Sequence, residues 1–174
     1  MTSPDRHPAI VHWTEIEKPQ RHYRDDDELM TFGASLGRYF GLKRLGIHHE
    51  RLPPGCRTSY PHAESLDEEF VHVIEGAPQV WLDGVVHQLR AGDSVGFPAG
   101  TGLTHTFLNN TGAEVHLLVV GEKTKPENRI RYVKNPELQQ KIDFGWDDWP
   151  ERPLGDHDGL TDKVRAGKAA KATR

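Results

Sequence analysis

Short runs of alternating hydrophobic and polar residues fill the middle of the chain. Nearly all of them end at Gly, Pro or Asn, and in order they read LKRLGIHHERLPPG (42–55), EEFVHVIEG (68–76), PQVWLDG (78–84), VVHQLRAGD (85–93), VGFPAG (95–100), THTFLNN (104–110) and EVHLLVVG (114–121). Turn signals recur about every 8–12 residues, the spacing typical of an antiparallel sandwich or barrel. No helical period of useful length occurs in this stretch. The pattern therefore predicts an all-β protein.

The strongest local signal is Asp83-Gly84, which separates PQVWL from VVHQL. A two-residue hairpin turn needs positive φ at both central positions, and Asp-Gly is among the pairs that adopt it most readily. We therefore predict that the two flanking runs pair as an antiparallel hairpin.

The two ends of the chain have a different texture from the middle. A run at 9–17 alternates well enough for a short strand, residues 25–33 could form a helical turn, and residues 129–133 could form one more strand. The last residues are basic and have little to bury, so we expect disorder there. We predict four regions: an N-terminal arm (1–40), a barrel (41–121), a C-terminal extension packed on the barrel (122–160) and a disordered basic tail (161–174).

Charge and composition exclude several classes of partner and location. The net charge of −4 argues against nucleic acid or an anionic membrane as a partner. The first residues do not form a secretory signal, and no apolar run is long enough to span a bilayer. The single cysteine, Cys56, cannot form an internal disulfide, which fits a reducing compartment. We expect a cytoplasmic protein with no nucleic-acid or membrane partner.

Charged and imidazole side chains lie where a strand-forming sequence should supply apolar ones. Residues i and i+2 of a strand share a face, so His62 and Glu64 should point the same way. Glu69 can join them if the next strand starts there and runs alongside. His105 can join them only if the sheet closes into a barrel. Such a group is costly inside a protein unless a cation neutralises it.

Two stretches resemble the paired motifs of the cupin superfamily. The first family motif is Gly, five residues, His-x-His, three or four residues, Glu, six residues, Gly, and here it reads Gly55…His62-Ala63-Glu64…Glu69…Gly76, with Glu64 in place of the second histidine and six residues after Gly55. The second is Gly, five residues, Pro-x-Gly, two residues, His, three residues, Asn, and here it reads Gly92…Pro98-Ala99-Gly100…His105…Asn109, with four residues before the histidine.

The resemblance covers about residues 41 to 121 and implies a double-stranded β-helix (jelly-roll) barrel. It also implies a homodimer, and an exposed sheet edge would be a liability for a monomer. By the same resemblance, one divalent metal ion per chain (Fe, Mn, Zn or Ni) is held by four side chains: His62, Glu64, Glu69 and His105.

The glutamate at position 64 leaves three arrangements open. As a ligand, Glu64 would make metal-bound water less acidic than three neutral histidines do, and would favour harder ions such as Mn or Fe. Alternatively, His62, Glu69 and His105 form a 2-His-1-carboxylate triad with open positions, and Glu64 is a nearby base. In the third arrangement the barrel has lost its metal and keeps these residues as a hydrogen-bonded polar pocket.

Two classes of function remain open from the sequence. The favoured one is a metalloenzyme, of dioxygenase or isomerase/lyase type, acting on a small oxygen-rich metabolite. Tyr60 has the parity of His62 and Glu64, and in this hypothesis it orients or protonates the substrate. The alternative is a non-catalytic module that binds or senses a small acidic metabolite or sugar.

The remaining histidines are interpreted mainly as structural. His72 follows Glu69 by three residues, so alternation should turn it to the opposite face. His48 and His49 are adjacent, so at most one of them can face inward. His157 is interpreted as part of a solvated turn.

Overall fold

A computed structural model describes residues 6–23, 26–123 and 125–172 of the chain. Its strands are β1 (Glu17–Lys18), β2 (Phe32–Ser35), β3 (Leu45–Leu52), β4 (His62–Glu64), β5 (Glu69–Glu75), β6 (Gln79–Leu82), β7 (Val85–Gln88), β8 (Ser94–Phe97), β9 (His105–Leu108), β10 (Val115–Glu122) and β11 (Ile130–Tyr132). Its helices are a 3-10 turn (Trp13–Glu15), α1 (Leu36–Tyr39), α2 (Pro136–Lys141) and α3 (Asp162–Ala172). No helix of these described residues is long and apolar enough to cross a membrane.

The strands form two antiparallel sheets that face each other. One sheet has the order β1-β2-β3-β10-β5-β8, and the other has the order β11-β4-β9-β6-β7. The predicted all-β jelly-roll architecture is confirmed, and each run predicted between residues 42 and 121 contains a strand. The predicted strand at 129–133 is also present, as β11, which pairs with β4.

The apolar core lies between the two sheets and follows the alternation of the strands. Each strand turns every second residue inward, so a small set of branched and aromatic side chains fills the interior. The cluster consists of Leu52, Cys56, Val71, Val73, Val80, Phe97, Phe107, Val115 and Leu117. These side chains fill much of the space between the two sheets. The polar side chains that face inward occupy the part that remains.

The predicted Asp83-Gly84 hairpin is present between β6 and β7. Both residues have positive φ, 46° and 86°, as the tight turn requires. A Cβ at Gly84 would also lie 2.3 Å from the carbonyl oxygen of Gly155, because the C-terminal extension crosses this turn. The crossing is fixed by hydrogen bonds from the Gly155 amide to the Asp83 carbonyl and from the Trp81 indole to the His157 carbonyl.

The N-terminal arm differs from its prediction in two places. The run at 9–17 is not a strand: it forms the 3-10 turn, and only Glu17 and its neighbour Lys18 join β2. The helical turn predicted over 25–33 is absent from its described part, residues 26–33, where Phe32 already begins β2; Asp25 lies outside the described residues. The physical reason is packing. In the run at 9–17, Trp13 stacks on His49 on the outer face of β3, at a ring-centroid distance of 4.2 Å. Ring stacking therefore holds this run, instead of the hydrogen bonds of a strand.

The C-terminal tail also differs from its prediction. Residues 162–172 of the tail expected to be disordered form α3, while residues 173–174 lie outside the described residues. Thr161 anchors its start, because the buried hydroxyl donates to the Gly55 carbonyl at 2.7 Å and accepts from the Val164 amide at 3.4 Å. Arg165 then pairs with Asp158 and Asp162. Composition alone missed these contacts, since they depend on the barrel surface beneath.

A buried ion pair joins the barrel to both terminal segments. The Arg57 guanidinium donates to both carboxylate oxygens of Glu28, at 2.6 and 2.8 Å, and to the carbonyl of Gly159 at 2.9 Å. Only 3% of the Arg57 side chain and 5% of the Glu28 side chain is exposed. Because Glu28 belongs to the N-terminal arm and Gly159 to the C-terminal extension, one side chain ties three regions together.

We predict that Arg57→Met lowers the free energy of unfolding by about 3–5 kcal/mol, because it leaves the Glu28 carboxylate buried without a partner. Urea denaturation measures the change. The double variant Glu28→Gln/Arg57→Met should regain part of the loss, since no charge is then left unpaired. Arg90→Met is the control, because 88% of the Arg90 side chain is exposed. If Arg57→Met lowered the free energy of unfolding no more than Arg90→Met does, the stabilising role of the ion pair would be contradicted.

The stack of Trp13 on His49 predicts a dependence of stability on pH. Burial, with a smaller effect of the neighbouring His116, lowers the pKa of His49 from 6.5 to about 4. Between these values the unfolded chain takes up a proton that the folded protein does not, so the free energy of unfolding falls as the pH falls. We expect this group to contribute about 1–3 kcal/mol of that decrease.

Urea denaturation at about pH 7 and about pH 4.5 measures this decrease. His49→Gln should make the decrease smaller, whereas His87→Gln should leave it unchanged because His87 is exposed on β7. An equal decrease in wild type and His49→Gln would show that His49 does not carry the effect.

Candidate functional site

Three of the residues singled out in the sequence meet inside the barrel. His62 on β4 lies directly opposite His105 on β9, and their ring centroids are 4.8 Å apart. Glu69 reaches the pair from the other sheet, with its Oε1 atom 3.3 Å from Nε2 of His105. The convergence that required sheet closure is therefore present for His62, Glu69 and His105.

Both ends of β9 are pinned, which fixes the position of His105. At the start of the strand, the amide and hydroxyl of Thr104 donate to Oδ1 of Asp83, at 2.9 and 2.7 Å. At the other end, the side-chain amide of Asn109 donates to the carbonyls of Leu52 and Ala113, both at 2.8 Å. The His105 ring is also stacked on Phe97 at a centroid distance of 3.6 Å. The asparagine of the second motif thus has a structural role.

Backbone carbonyls orient both imidazole rings. Nδ1 of His62 lies 2.9 Å from the carbonyl of Tyr60, and Nδ1 of His105 lies 3.5 Å from the carbonyl of Leu103. A carbonyl only accepts, so a neutral ring places its proton on Nδ1 and leaves Nε2 as an electron-pair donor. Burial, with a smaller effect of the adjacent His105, lowers the pKa of His62 to about 4. His62 is therefore a neutral donor near pH 7.

The donor set suits a divalent metal ion in type. A ring held through Nδ1 with Nε2 free is the arrangement found at histidine-bound metals. Nε2 of His105 is buried with no hydrogen-bond partner, although Oε1 of Glu69 is 3.3 Å away. Two ligands about 2.1 Å from one ion and 90–110° apart are about 3.0–3.5 Å from each other, so this separation fits.

The structure does not bring a complete set of ligands to metal-binding distance. Among the described residues, no group of three or more His, Cys, Asp or Glu side chains is arranged so that it could hold a metal ion. The fit therefore concerns donor type, ring orientation and the His105–Glu69 separation. The side chains would have to move closer together to close the group around an ion.

Glu64 does not share the cavity of His62. It lines a smaller adjoining cavity, which it shares with Asp67, Glu69 and His105. Burial raises the pKa of Glu64 to about 7, and the nearby carboxylates of Glu69 and Asp67 act in the same direction. Alternation along β4 correctly predicted that Glu64 lies near Glu69 and His105. It did not predict that Glu64 and His62 line different cavities. Its assignment as a ligand or a base stays a prediction.

Tyr60 is not positioned for the catalytic role that its parity suggested. Its ring is 5% exposed and stacks on Tyr23, and its hydroxyl donates to Oδ2 of Asp26 at 2.5 Å. Burial and the bond to Asp26 raise the pKa of Tyr60. The alternation argument does not extend back to residue 60, because β4 begins only at His62, after Pro61. The catalytic role of Tyr60 itself stays a prediction. What Tyr60 supplies is the carbonyl that orients His62.

A cavity of about 160 Å³ lies beside the two histidines, and it exposes residues that the sequence did not single out. Its polar lining consists of Arg21, Glu50, Thr58, Ser59, His62, Glu69 and His105. Glu50 is buried on the inner face of β3, opposite Leu117, and burial raises its pKa. Nη2 of Arg21 donates to Glu50 and to the hydroxyl of Thr31.

One of these missed residues carried a usable signal. Glu50 lies two residues before Leu52, a core residue of the same strand, so alternation alone predicts that Glu50 faces inward. No sequence signal identified Arg21, because it lies in the N-terminal arm, outside the two motifs of the barrel.

Alternation correctly predicted the faces of His72, His48 and His49, whereas His157 differs from its prediction. His72 points away from the barrel interior, and its Nδ1 lies 2.8 Å from the hydroxyl of Ser94. Of the adjacent pair, His48 lies opposite the inward Val119, while His49 is on the outer face under Trp13. His157 is structural rather than free in solvent, since its ring contacts Arg165 and its carbonyl accepts from Trp81.

Comparisons with known proteins agree on the family. A family model described as a cupin domain matches residues 48–121. The polyketide synthase CurC of Streptomyces cyaneus is 30% identical over 126 residues, which cover 72% of this chain and 77% of that protein.

Solved structures of other proteins also resemble the chain. A sugar phosphate isomerase of the cupin superfamily from Silicibacter pomeroyi is 37% identical, with a TM-score of 0.56 over 59% of this chain. The match spans 64% of that protein, less than two thirds of its length. The polyketide cyclase RemF of Streptomyces resistomycificus, 21% identical with a TM-score of 0.59, covers 77% of this chain and 93% of its own and shares the fold.

We predict that Tyr60→Phe lowers the free energy of unfolding by about 1–3 kcal/mol, because it removes a hydrogen bond to the Asp26 carboxylate. The metal content of the purified variant should equal that of the wild type, because the carbonyl that orients His62 is retained. Urea denaturation and elemental analysis measure the two quantities. Tyr39→Phe is the matched control, since Tyr39 is 45% exposed. If the variant lost metal without losing stability, the Tyr60 hydroxyl would have a role in the metal site.

Proposed function

The chain belongs to the cupin superfamily, and from that premise we propose that it is an enzyme that transfers a proton next to the carbonyl group of a small oxygen-rich metabolite. Reactions of this kind include isomerisation and cyclisation. One divalent ion would be held by His62, Glu69 and His105. When bound, it would supply Lewis-acid polarisation of a carbonyl or enediolate oxygen.

One observation carries the proposal: Glu50 lines the same cavity as His62, Glu69 and His105. A general base must lie within reach of the proton it removes and must have a pKa near the working pH. Burial raises the pKa of Glu50, and the bond from Arg21 opposes but does not cancel that effect. Raised carboxyl pKa values in clefts are typical of acid–base residues.

In this mechanism the chain's own residues divide the work. Glu50 accepts a proton from the hydroxyl-bearing carbon next to the carbonyl group and returns it to the former carbonyl carbon, while the proton of that hydroxyl group passes to the carbonyl oxygen. The hydroxyls of Thr58 and Ser59, which line the same cavity, hydrogen-bond the hydroxyl groups of the substrate. Ser59 also lies 3.3 Å from Nδ1 of His62, so it links substrate binding to the orientation of that ring.

The relatives support a proton transfer rather than a reaction with oxygen. The Silicibacter pomeroyi protein, at 37% identity, is a sugar phosphate isomerase, and such an isomerisation moves a proton between adjacent carbons. The 2-His-1-carboxylate donor set also suits an iron dioxygenase. A buried carboxyl beside the donors favours the proton transfer, because that reaction requires a base next to the substrate.

The test measures the incorporation of deuterium from heavy water into ketose phosphates by NMR, without oxygen, together with the metal content of the protein. We expect about one divalent ion per chain in wild type. His105→Ala should lose the ion, whereas His72→Ala should keep it because His72 points away from the interior. Glu50→Gln should keep the ion and slow deuterium incorporation roughly a hundredfold or more.

Other outcomes would overturn the proposal and select an alternative. Oxygen uptake after reconstitution with Fe(II), with no deuterium incorporation, would select the dioxygenase. Saturable binding of a metabolite with neither deuterium incorporation nor oxygen uptake would select the non-catalytic binding module.

A further inference from the structure

We propose that Arg21 is the anion-binding residue of this cavity and fixes a carboxylate or phosphate group of the bound metabolite. The inference rests on the proposed function, because it takes the cavity of His62, Glu69 and His105 as the substrate site. It names the substrate class as anionic, and it assigns the recognition of that charge to the N-terminal arm rather than to the barrel motifs.

The arm holds Arg21 in a fixed place at the cavity. Its amide donates to the carbonyl of Thr31 at 2.9 Å, and its carbonyl accepts from the amide of Met30 at 2.8 Å. The following strand, β2, then pairs with β3, which carries Glu50. The guanidinium therefore reaches the cavity from a paired and anchored segment, so less side-chain freedom is lost when an anion binds.

The hydrogen bonding of Arg21 differs from that of the structural arginines. Arg57 and Arg51 each donate to protein acceptors through Nε, Nη1 and Nη2. Within the described part of the chain, Arg21 donates through Nη2 alone, to Glu50 and Thr31. Charge-assisted hydrogen bonds from a guanidinium to a carboxylate or phosphate are stronger than neutral ones. The Nε–H and the two Nη1–H groups of Arg21 remain for such contacts after its own position is fixed.

Exposure agrees with this difference. Half of the Arg21 side chain is exposed, 50%, whereas its partner Glu50 is 9% exposed. The Arg57 side chain, by contrast, is only 3% exposed. One edge of the Arg21 guanidinium thus contacts a buried carboxyl, and the rest remains accessible to a molecule that enters the cavity.

The charge of the cavity favours an anion only when Arg21 is included. Arg21 is the single Lys or Arg among the described residues that line it, and the carboxyl groups are Glu50 and Glu69. With both carboxylates ionised, a divalent ion would bring the sum to zero, and Arg21 would make it positive. If Glu50 is protonated, the sum is more positive still. Arg21 therefore supplies the attraction for a negatively charged substrate group.

The test compares charged and neutral probes on intact protein carrying the metal that it holds after purification. Isothermal titration calorimetry measures the affinity of malonate, of inorganic phosphate and of malonamide, the neutral analogue of malonate. We expect Arg21→Gln to weaken binding of the preferred anion roughly tenfold to a hundredfold and to leave malonamide unchanged. Arg21→Lys keeps the charge without the Nε and Nη1 donors, so its loss of affinity should be smaller.

Arg90→Gln is the control, because it removes an arginine charge at an exposed site far from the cavity in the β7–β8 connection. A preference for phosphate would indicate a phosphorylated substrate, and a preference for malonate a carboxylic acid; both support the inference. Equal affinity for both anions in wild type and Arg21→Gln would overturn it. A parallel loss of malonamide binding would overturn it too, because Arg21 would then shape the cavity rather than bind a charge.

The same samples separate this inference from the proposed function. Metal content and deuterium incorporation report on the function, and the difference between anionic and neutral probes reports on Arg21. If the protein held no metal and incorporated no deuterium, the proposed function would be wrong. If Arg21→Gln still lost anion binding selectively in that case, the anion-binding role of Arg21 would be supported.

Discussion

The buried pair of Arg57 and Glu28 is the contact on which the arrangement of the site depends. A desolvated bidentate ion pair is stable only when both partners and their remaining donors are satisfied, and here the third nitrogen of Arg57 bonds the carbonyl of Gly159. The pair therefore holds the N-terminal arm and the C-terminal extension against the barrel at once. Glu28 lies in the same arm as Arg21, two residues before Met30, whose amide donates to the Arg21 carbonyl, so the ion pair also restrains the position of Arg21.

The barrel interior is divided between an apolar part and a polar part, and the division explains how the cavity is tolerated. Leu52, Val71 and Phe107 belong to the apolar cluster, which supplies most of the packing. The polar part is tolerated because His62 is a neutral donor and because the Nδ1 atoms of both histidines lie near backbone carbonyls. Neutral imidazoles cost less to bury than charged ones, and a cation would offset the carboxylates that remain.

Fold and function have separate supports in this protein. Cupin membership follows from the family match and the relatives, and the jelly-roll architecture follows from the two sheets. Neither names a reaction, because one barrel can hold many sites. The chemistry must come from the residues that line this cavity, and the two to which we assign it, Glu50 and Arg21, lie outside the family motifs.

The sequence by itself determined the strands that lie in the runs between residues 42 and 121, the Asp83-Gly84 hairpin and the convergence of the two motif segments. These depend on local rules, namely the two-residue period of a strand and the backbone freedom of turn residues. Because a closed sheet brings the ends of its strands together, the sequence also predicted that His62, Glu69 and His105 meet.

Only the tertiary structure decided the rest. It turned Tyr60 toward Asp26, placed Glu64 in an adjoining cavity, brought Arg21 to Glu50 and folded α3. In each case the deciding contact joins residues that are distant in the chain or lies beyond the end of a strand, where alternation no longer applies. A periodic pattern states which face a residue takes within one strand, but it carries no information about which segment from elsewhere will cover that face.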